Sequence, residues 1–324
     1  MKKFLTTLAG GMLLVACGQE GTEHGRWQDS HLHAPEAGVE LQASPTIYWL
    51  DIFGGRVYQA DANGRGARSI ARTDTAPDGI AIDVEGGKLY WTNMGSVLGI
   101  GSGTLQRSNL DGSRVQRIVR EGISDTPKQM QVDNVNHKIY WSDREGAKVW
   151  RANKDGSNPE ILISGHGLEQ LVGVALDIPR RQVYFSDRRG LTINRISMDM
   201  PAGQSHSNRR DMEVLIQTPR RTQPIDLDLD LETRTLYWTD RSLGTVHRAP
   251  MDMPAGKNAG NRNDEQELVD GLGDAIGISL DRRNKKMYFT ELNGDVWVSD
   301  FDGSSARRIA STGSATGVVF AEIP

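Results

Sequence analysis

Leu236-Tyr237-Trp238-Thr239-Asp240 places two aromatic residues before a hydroxyl and a carboxylate, and the chain carries six versions of this pattern. The other five versions are Tyr48-Trp49-Leu50-Asp51, Tyr90-Trp91-Thr92-Asn93, Tyr140-Trp141-Ser142-Asp143, Tyr184-Phe185-Ser186-Asp187 and Tyr288-Phe289-Thr290-Glu291. Successive tyrosines lie 42, 50, 44, 53 and 51 residues apart, and a period of about 40–50 residues is typical of solenoids and propellers. Each version is short, free of proline and rich in aromatic and β-branched side chains, which predicts a strand buried on both faces.

The repeated pattern resembles the YWTD repeat, the class B repeat of the low-density lipoprotein receptor family, over residues 46–322. The resemblance implies an all-β fold, a six-bladed β-propeller of four-stranded antiparallel blades. It also implies that the motif residues are architectural, with the aromatic side chains packed between blades and the acidic residue capping the strand end. Asn93 and Glu291 replace the motif aspartate in two of the six copies.

Segments that begin 11 residues before a motif tyrosine predict the first strand of five blades. These segments are Gly79–Asp83, Gln129–Asp133, Gly173–Asp177, Asp226–Asp230 and Gly277–Asp281. The first motif copy has no strong strand before it, whereas Thr316–Ala321 matches a first strand after the last copy. We therefore expect this C-terminal strand to join the first blade and close the ring, which removes the exposed sheet edge.

Residues 1–16 are predicted to be a lipoprotein signal peptide, because two lysines precede an apolar run that is too short to span a bilayer. The run ends in Leu14-Val15-Ala16-Cys17, which resembles the bacterial lipobox and implies lipid attachment at Cys17. An ordinary signal peptide followed by an incidental cysteine is the alternative. Residues 17–45 are expected to form the lipid anchor and a polar tether, and residues 46–324 the propeller.

The predicted location is extracytoplasmic and membrane-anchored, and Gly18 after the cysteine implies the outer membrane if the host has one. After removal of residues 1–16 the chain would carry 36 Lys and Arg against 42 Asp and Glu, which argues against a nucleic-acid partner. A single cysteine allows no intrachain disulfide, so stability must come from packing. We expect a monomer without a cofactor, and His31 and His33 lack a third ligand for a metal.

Two further patterns recur at fixed places in the repeat. Four predicted third strands end in arginine, namely Arg107, Arg151, Arg195 and Arg248. In three of these blades the motif aspartate lies eight residues earlier, on the adjacent strand of the hairpin. We expect the arginines to make charge-assisted bonds within or between blades, with a ligand-gripping ring as the alternative. The inserts Met198–Gly203 and Met251–Gly256 are near-copies 53 residues apart, and are predicted to be surface loops or a contact surface.

Catalytic motifs are missing from the sequence, which has no G-x-S-x-G, no H-E-x-x-H and no cysteine cluster. The glycine-rich run Gly95–Gly103 opens no predicted helix, so it lacks the phosphate-binding arrangement and is predicted to be a mobile hairpin loop. We therefore predict no catalytic residue.

The candidate binding site is the channel mouth, where the first strands of a propeller begin. The residues expected there are Asp78, Asp125, Lys128, Glu169, Gln170, Gln223 and Asp274, with Thr75 and Thr316 beside them. This mostly acidic rim favours a basic or polar partner. A solvated mouth without a specific ligand is the alternative.

Two classes of function remain. The first is a lipid-anchored binding scaffold for an envelope or extracellular protein. The second is a metal-dependent propeller hydrolase or lactonase, in which Asp78, Asp125, Glu169 and Asp274 would hold a divalent metal such as calcium. We favour the scaffold, because these carboxylates fall at different depths of the aligned first strands.

Overall fold

The computed structural model describes residues 43–96 and 101–324. The predicted signal peptide, Cys17 and the tether with His31 and His33 lie outside the described residues, as does part of the glycine-rich loop. In the described ranges, no helix is long and apolar enough to cross a membrane.

The described residues form 24 strands. In chain order they are β1 (Ser44–Asp51), β2 (Arg56–Asp61), β3 (Arg68–Arg72), β4 (Pro77–Asp83), β5 (Lys88–Asn93), β6 (Gly103–Asn109), β7 (Gln116–Ser124), β8 (Pro127–Asp133), β9 (Lys138–Asp143), β10 (Lys148–Asn153), β11 (Glu160–Ser164), β12 (Leu171–Asp177), β13 (Gln182–Asp187), β14 (Thr192–Ser197), β15 (Glu213–Gln217), β16 (Pro224–Asp230), β17 (Thr235–Asp240), β18 (Thr245–Pro250), β19 (Gln266–Val269), β20 (Ala275–Asp281), β21 (Lys286–Glu291), β22 (Asp295–Asp300), β23 (Arg307–Ser311) and β24 (Ala315–Ile323).

Six four-stranded antiparallel sheets make up a six-bladed β-propeller, so the predicted fold is confirmed. Blade 1 contains β24, β1, β2 and β3, and blades 2 to 6 each take four consecutive strands from β4 onward. The inner strands β24, β4, β8, β12, β16 and β20 are neighbours around the central channel. Each inner strand begins at one face of the propeller, which we call the mouth face, and ends at the opposite face.

The ring closes through the pairing of β24 with β1, as the sequence predicts. Ser44 lies opposite Ile323 and Thr46 opposite Ala321 in this antiparallel pair. The pairing completes the sheet of blade 1, so its inner edge is not left open.

The motif aromatic residues form the contacts between blades. All six motif tyrosines are at most 3% exposed. Trp238 of blade 5 shares one hydrophobic cluster with Tyr184 and Ile193 of blade 4. Burial of an aromatic side chain removes about 150–250 Å² from water, so these residues contribute a large apolar area to the blade junctions.

The motif hydroxyl links each blade to the next one. Thr239 accepts a hydrogen bond from the backbone N–H of Asp226 at 3.2 Å and donates one to the carbonyl oxygen of Ile276 in blade 6 at 2.6 Å. The motif hydroxyls that donate in the same way to the following inner strand are Thr92, Ser142, Ser186 and Thr290. Sequence analysis assigned this position no role.

Blade 1 lacks the motif hydroxyl, because Leu50 occupies its place. The link to the next blade is made instead by Thr316 in β24, whose hydroxyl donates to the carbonyl oxygen of Pro77 at 3.2 Å. Every junction between consecutive blades in the described residues therefore has a buried hydroxyl donor.

Replacing Thr239 with valine should lower the free energy of unfolding by about 1–3 kcal/mol, because the buried N–H of Asp226 and the carbonyl of Ile276 lose their partner. Thr235→Val is the matched control, since Thr235 lies at the half-buried start of the same strand. Denaturant unfolding of both variants would measure the difference. Equal stability of the two variants would contradict the role of the hydroxyl.

Each predicted insert continues into a polar run, residues 204–210 and 257–266, and each run connects neighbouring blades through a buried arginine. The Arg209 side chain is fully buried and donates through Nη1 to the carbonyl oxygen of Leu162 in blade 3 at 2.7 Å. Its Nε and Nη2 bind Asp211 at 2.7 and 2.6 Å. The second insert repeats this with Arg262, which binds the carbonyl oxygen of Leu215 at 2.9 Å.

A turn glycine occupies the equivalent place at other blade junctions. A Cβ on Gly112 would come within 2.2 Å of the carbonyl oxygen of Ile70, and one on Gly156 within 2.0 Å of that of Ile118. At those junctions the turn backbone itself lies against a carbonyl oxygen of the preceding blade. In the two blades with inserts, an arginine side chain binds the equivalent carbonyl oxygen instead.

Candidate functional site at the channel mouth

A β-bulge in each inner strand forms the first ring of the mouth. In β4, Pro77 pairs with Asn93 and Ile80 with Trp91, so the inner strand holds one extra residue. The residues directly after the first position of each inner strand line a common cavity; they are Thr316, Asp78, Lys128, Val172, Ile225 and Ile276.

The residue that follows each motif acid forms the second ring around the same cavity. In blade order this ring is Ile52, Met94, Arg144, Arg188, Arg241 and Leu292. Three consecutive blades thus contribute Arg144, Arg188 and Arg241, which we call the arginine arc. The other three contribute Leu292, Ile52 and Met94, which we call the apolar arc. The cavity between the arcs has a volume of ≈ 100 Å³.

The motif acid positions these loops. Asp143 accepts hydrogen bonds from the backbone N–H groups of Asp125 and Thr126 at 2.9 and 2.8 Å, and from Gly146 at 3.2 Å. It therefore holds both the segment before the inner strand and the turn that carries Arg144.

The implied cap differs in the two blades that lack the motif aspartate. Glu291 still accepts from the backbone N–H of Gly273 and from Trp297. Asn93 accepts no hydrogen bond through its buried Oδ1, and Gln106 accepts the backbone N–H of Asp74 at 2.8 Å in its place. The cap of blade 2 is thus transferred to the third strand.

The arginine arc is only partly neutralised. Arg144 contacts Glu145 at 2.5 Å and Arg241 contacts Asp274 at 2.8 Å. The Nε of Arg188 donates to Oε1 of Gln170 at 2.8 Å, and within the described residues Arg188 has no carboxylate partner. Burial, with repulsion from the other two arginines, lowers the pKa of Arg188, although a guanidinium remains charged at neutral pH.

Lys128 and Asp78 form a buried ion pair beside the arc. Lys128 is 8% and Asp78 1% exposed, and the Lys128 ammonium contacts the Asp78 carboxylate and, at 3.1 Å, the sulfur of Met94. Burial lowers the pKa of Lys128, while the charge of Asp78 opposes the shift. The two charges offset each other, so this pair adds little net charge to the cavity.

An apolar floor lies in the first ring. Val172, Ile225 and Ile276 are buried in one cluster with Leu292 packed against them. Apolar side chains lower the local dielectric constant, which strengthens electrostatic interactions next to them.

The other predicted rim residues lie around the cavity in separate contacts. Asp125 pairs with Lys148 at 3.7 Å and Glu169 with Arg189 at 3.0 Å. Gln223 and Gln170 line an adjacent groove that also contains Arg188. Sequence analysis found the acidic residues but missed the arginine arc, so the preference for a basic partner loses its basis.

The carboxylates suggested as metal ligands do not fit a metal site. Each of them has its own cation in the structure: Asp78, Asp125, Glu169 and Asp274 pair with a lysine or an arginine. Across residues 43–96 and 101–324, no group of three or more His, Cys, Asp or Glu is placed to hold a metal ion.

The four third-strand arginines serve the junctions between blades. Arg151 donates through Nη1 to the carbonyl oxygen of Met198 in the next blade at 2.9 Å and pairs with Glu160 in its own blade. The arginines with equivalent bonds to the next blade are Arg107, Arg195 and Arg248. Bonds within and between blades are confirmed, and their partners are carbonyl oxygens of the next blade and polar groups of the fourth strand. Within the described residues, none of these arginines binds the motif aspartate of its own blade.

Known proteins resemble the chain over most of its length. It is 34% identical over 286 residues to "Low-density lipoprotein receptor-related protein 1" of Pyricularia oryzae, covering 82% of this chain and 91% of that protein. It is 29% identical over 304 residues to "3-hydroxyacyl-CoA dehydrogenase-like protein LAM1" of Cochliobolus heterostrophus, covering 84% of this chain but 63% of that protein. No protein-family model matches the chain.

Solved structures share the fold at low sequence identity. A chain of a nidogen/laminin complex matches with a TM-score of 0.68 and 20% identity, over 86% of this chain and 98% of the other. TolB of Acinetobacter baumannii matches with a TM-score of 0.60 and 12% identity, over 86% of this chain and 66% of the other. At these identities the two structures support the propeller fold alone.

Proposed function

This chain belongs to the low-density lipoprotein receptor YWTD-repeat family, and from that premise we propose that it is a binding propeller that holds a protein partner on its mouth face. The observation that carries the proposal is the two-sided mouth, in which the arginine arc faces the apolar arc. The name of one similar protein, a receptor-related protein, supports a role in protein interaction.

The central cavity alone is too small for a drug-sized substrate. Sites for drug-sized ligands usually enclose about 300–1,000 Å³, whereas the mouth cavity encloses ≈ 100 Å³. A cavity of this size accepts the ends of side chains that project from a larger surface. The paired carboxylates give no support to the metal-dependent hydrolase.

We further propose that the propeller acts outside the cytoplasm, anchored through a lipid on Cys17. The geometry of blade 1 is compatible with this role. β1 begins with Ser44 at the face opposite the mouth and reaches the mouth face at Asp51. The polypeptide therefore enters the propeller at the face opposite the mouth.

A photoreactive phenylalanine analogue at Phe53 should form a covalent adduct with the partner in cells that produce the full-length chain. Phe53 is 81% exposed and directly follows Ile52 in a turn of the mouth face. Illumination followed by immunoblotting would reveal the adduct. The matched control is Val135, which is 73% exposed in the turn between β8 and β9 on the opposite face.

The proposed function requires the adduct at position 53 and its absence at position 135. No adduct at Phe53, or equal adducts at both positions, would contradict a partner on the mouth face. Cys17→Ala should release the protein from the membrane fraction, and retention in that fraction would contradict the lipid anchor.

A further inference from the structure

We propose that the arginine arc receives the carboxylate of an aspartate or glutamate side chain on the partner, and that the apolar arc receives a neighbouring apolar side chain. This inference rests on the proposed use of the mouth face and specifies the chemistry of the partner segment. The partner is then acidic at the point of contact, the reverse of what the residues before the first strands suggest.

Within the described residues, Arg188 has the free hydrogen-bond donors that can bind an anion. A guanidinium carries five N–H donors, and Arg188 commits only Nε, to Gln170. Its two terminal nitrogens have no hydrogen-bond partner within the described residues, yet the side chain lines both the mouth cavity and the adjoining groove. Two terminal N–H groups match the two oxygens of a carboxylate in a bidentate arrangement.

The two neighbouring arginines make binding of a negative charge near Arg188 more favourable. Arg144 and Arg241 flank it in the same ring, and both repel it. Glu145 and Asp274 each neutralise one of these neighbours from outside the cavity. A carboxylate placed between the three guanidinium groups would relieve their mutual repulsion above an apolar floor, where the attraction is stronger than in water.

The apolar arc is the surface that would contact the apolar side chain of the partner. Leu292, Ile52 and Met94 form half of the second ring without a charged side chain. Phe53 extends this half onto the surface with 81% of its area exposed. Large exposed aromatic side chains are enriched at the anchor positions of protein interfaces, so an apolar residue beside the acidic one would contact this surface.

Binding of two blocked dipeptides tests the proposal. The probes are N-acetyl-Asp-Leu-methylamide and N-acetyl-Asn-Leu-methylamide, which differ only in the carboxylate. Binding is followed by NMR on the full chain labelled with ¹³C at methionine methyl groups, because Met94 lines the cavity. We expect a saturable shift of the Met94 signal with a Kd of the order of 1 mM for the aspartate probe, and at least tenfold weaker binding of the asparagine probe.

Arg188→Gln should weaken binding of the aspartate probe at least tenfold and leave that of the asparagine probe nearly unchanged. Arg181→Gln is the matched control, because Arg181 belongs to the same blade but is exposed at the opposite face, where it pairs with Asp199. This control should change neither Kd by more than about twofold, since an exposed ion pair contributes little.

The inference would be overturned by equal affinity for both probes, by stronger binding of N-acetyl-Lys-Leu-methylamide, or by an unchanged Kd in Arg188→Gln. A competition experiment with inorganic phosphate gives a further test. If phosphate binds more tightly than the aspartate probe and displaces it, the arginine arc is a phosphate site and the inference is overturned. If the probes fail while the Phe53 adduct forms, the partner chemistry is wrong and the proposed function stands. A missing Phe53 adduct would instead reject the proposed function.

Discussion

Trp238→Ala should lower the free energy of unfolding by about 3–5 kcal/mol, because it removes a buried aromatic side chain from the junction of two blades. Trp238 is 1% exposed, stacks on His247 at a ring distance of 5.2 Å and packs against residues of blade 4. The cavity left behind has β-strands on all sides, which limits how far the structure can collapse into it.

The chain supplies the control for this prediction. Phe185 and Phe289 occupy the same motif position in blades 4 and 6, so Trp238→Phe should cost about 1.5 kcal/mol or less. Denaturant unfolding of both variants measures the difference, and an unchanged free energy of unfolding in Trp238→Ala would contradict the packing role. The Met94 signal of the folded variant should still respond to the aspartate probe.

Arg209→Met is expected to cost about 3–5 kcal/mol, because removal of one partner leaves a buried polar network without its cation. The methionine removes the donors to the Leu162 and Ser197 carbonyl oxygens and leaves the Asp211 carboxylate without its ion pair. The lost contacts span the junction between blades 3 and 4, so the effect reaches beyond the insert itself.

Arg210→Met is the control for this variant, because Arg210 is the next residue and is exposed; its cost should stay within about 0.5 kcal/mol. Arg262→Met should repeat the large effect in blade 5, where Arg262 binds Asp264 at 2.7 Å. Thermal and denaturant unfolding would give the values. Costs for both buried arginines that match the Arg210 control would show that the inserts are ordinary surface loops.

The fold was predictable because its strongest signal is repeated in register. Buried aromatic residues at one position per repeat identify the second strand of every blade, and the segment 11 residues earlier identifies the inner strand. The pairing of β24 with β1 followed from a strand that lacked a partner. These inferences need only periodicity and polarity, which a sequence displays directly.

The arginine arc was harder to predict because it depends on convergence across three blades. Its residues follow the motif acid directly, so alignment of the six copies at that position would have revealed the split between arginine and apolar residues. The segments before the first strands, where the predicted rim residues lie, contain none of these three arginines. Two of the arginines pair with carboxylates, whereas Arg188 does not within the described residues. This difference depends on the geometry of the loops, which cannot be read from the sequence.

The buried arginines of the inserts were missed for a different reason. Arg209 lies in a polar run, and polar composition normally predicts exposure to solvent. The spacing Arg209-x-Asp211 recurs as Arg262-x-Asp264 53 residues later, which was the available signal. The repeated Arg-x-Asp pair, rather than the repeated loop, indicates that these arginines have a structural role.

The closure of blade 1 has a consequence for the time course of folding. β1 and β24 stand at opposite ends of the propeller sequence, so their pairing is a contact of extreme sequence separation. Such contacts raise contact order, and high contact order slows folding. During synthesis, β1 cannot pair with β24 until β24 has left the ribosome. Until then the first blade of the nascent chain lacks its inner strand.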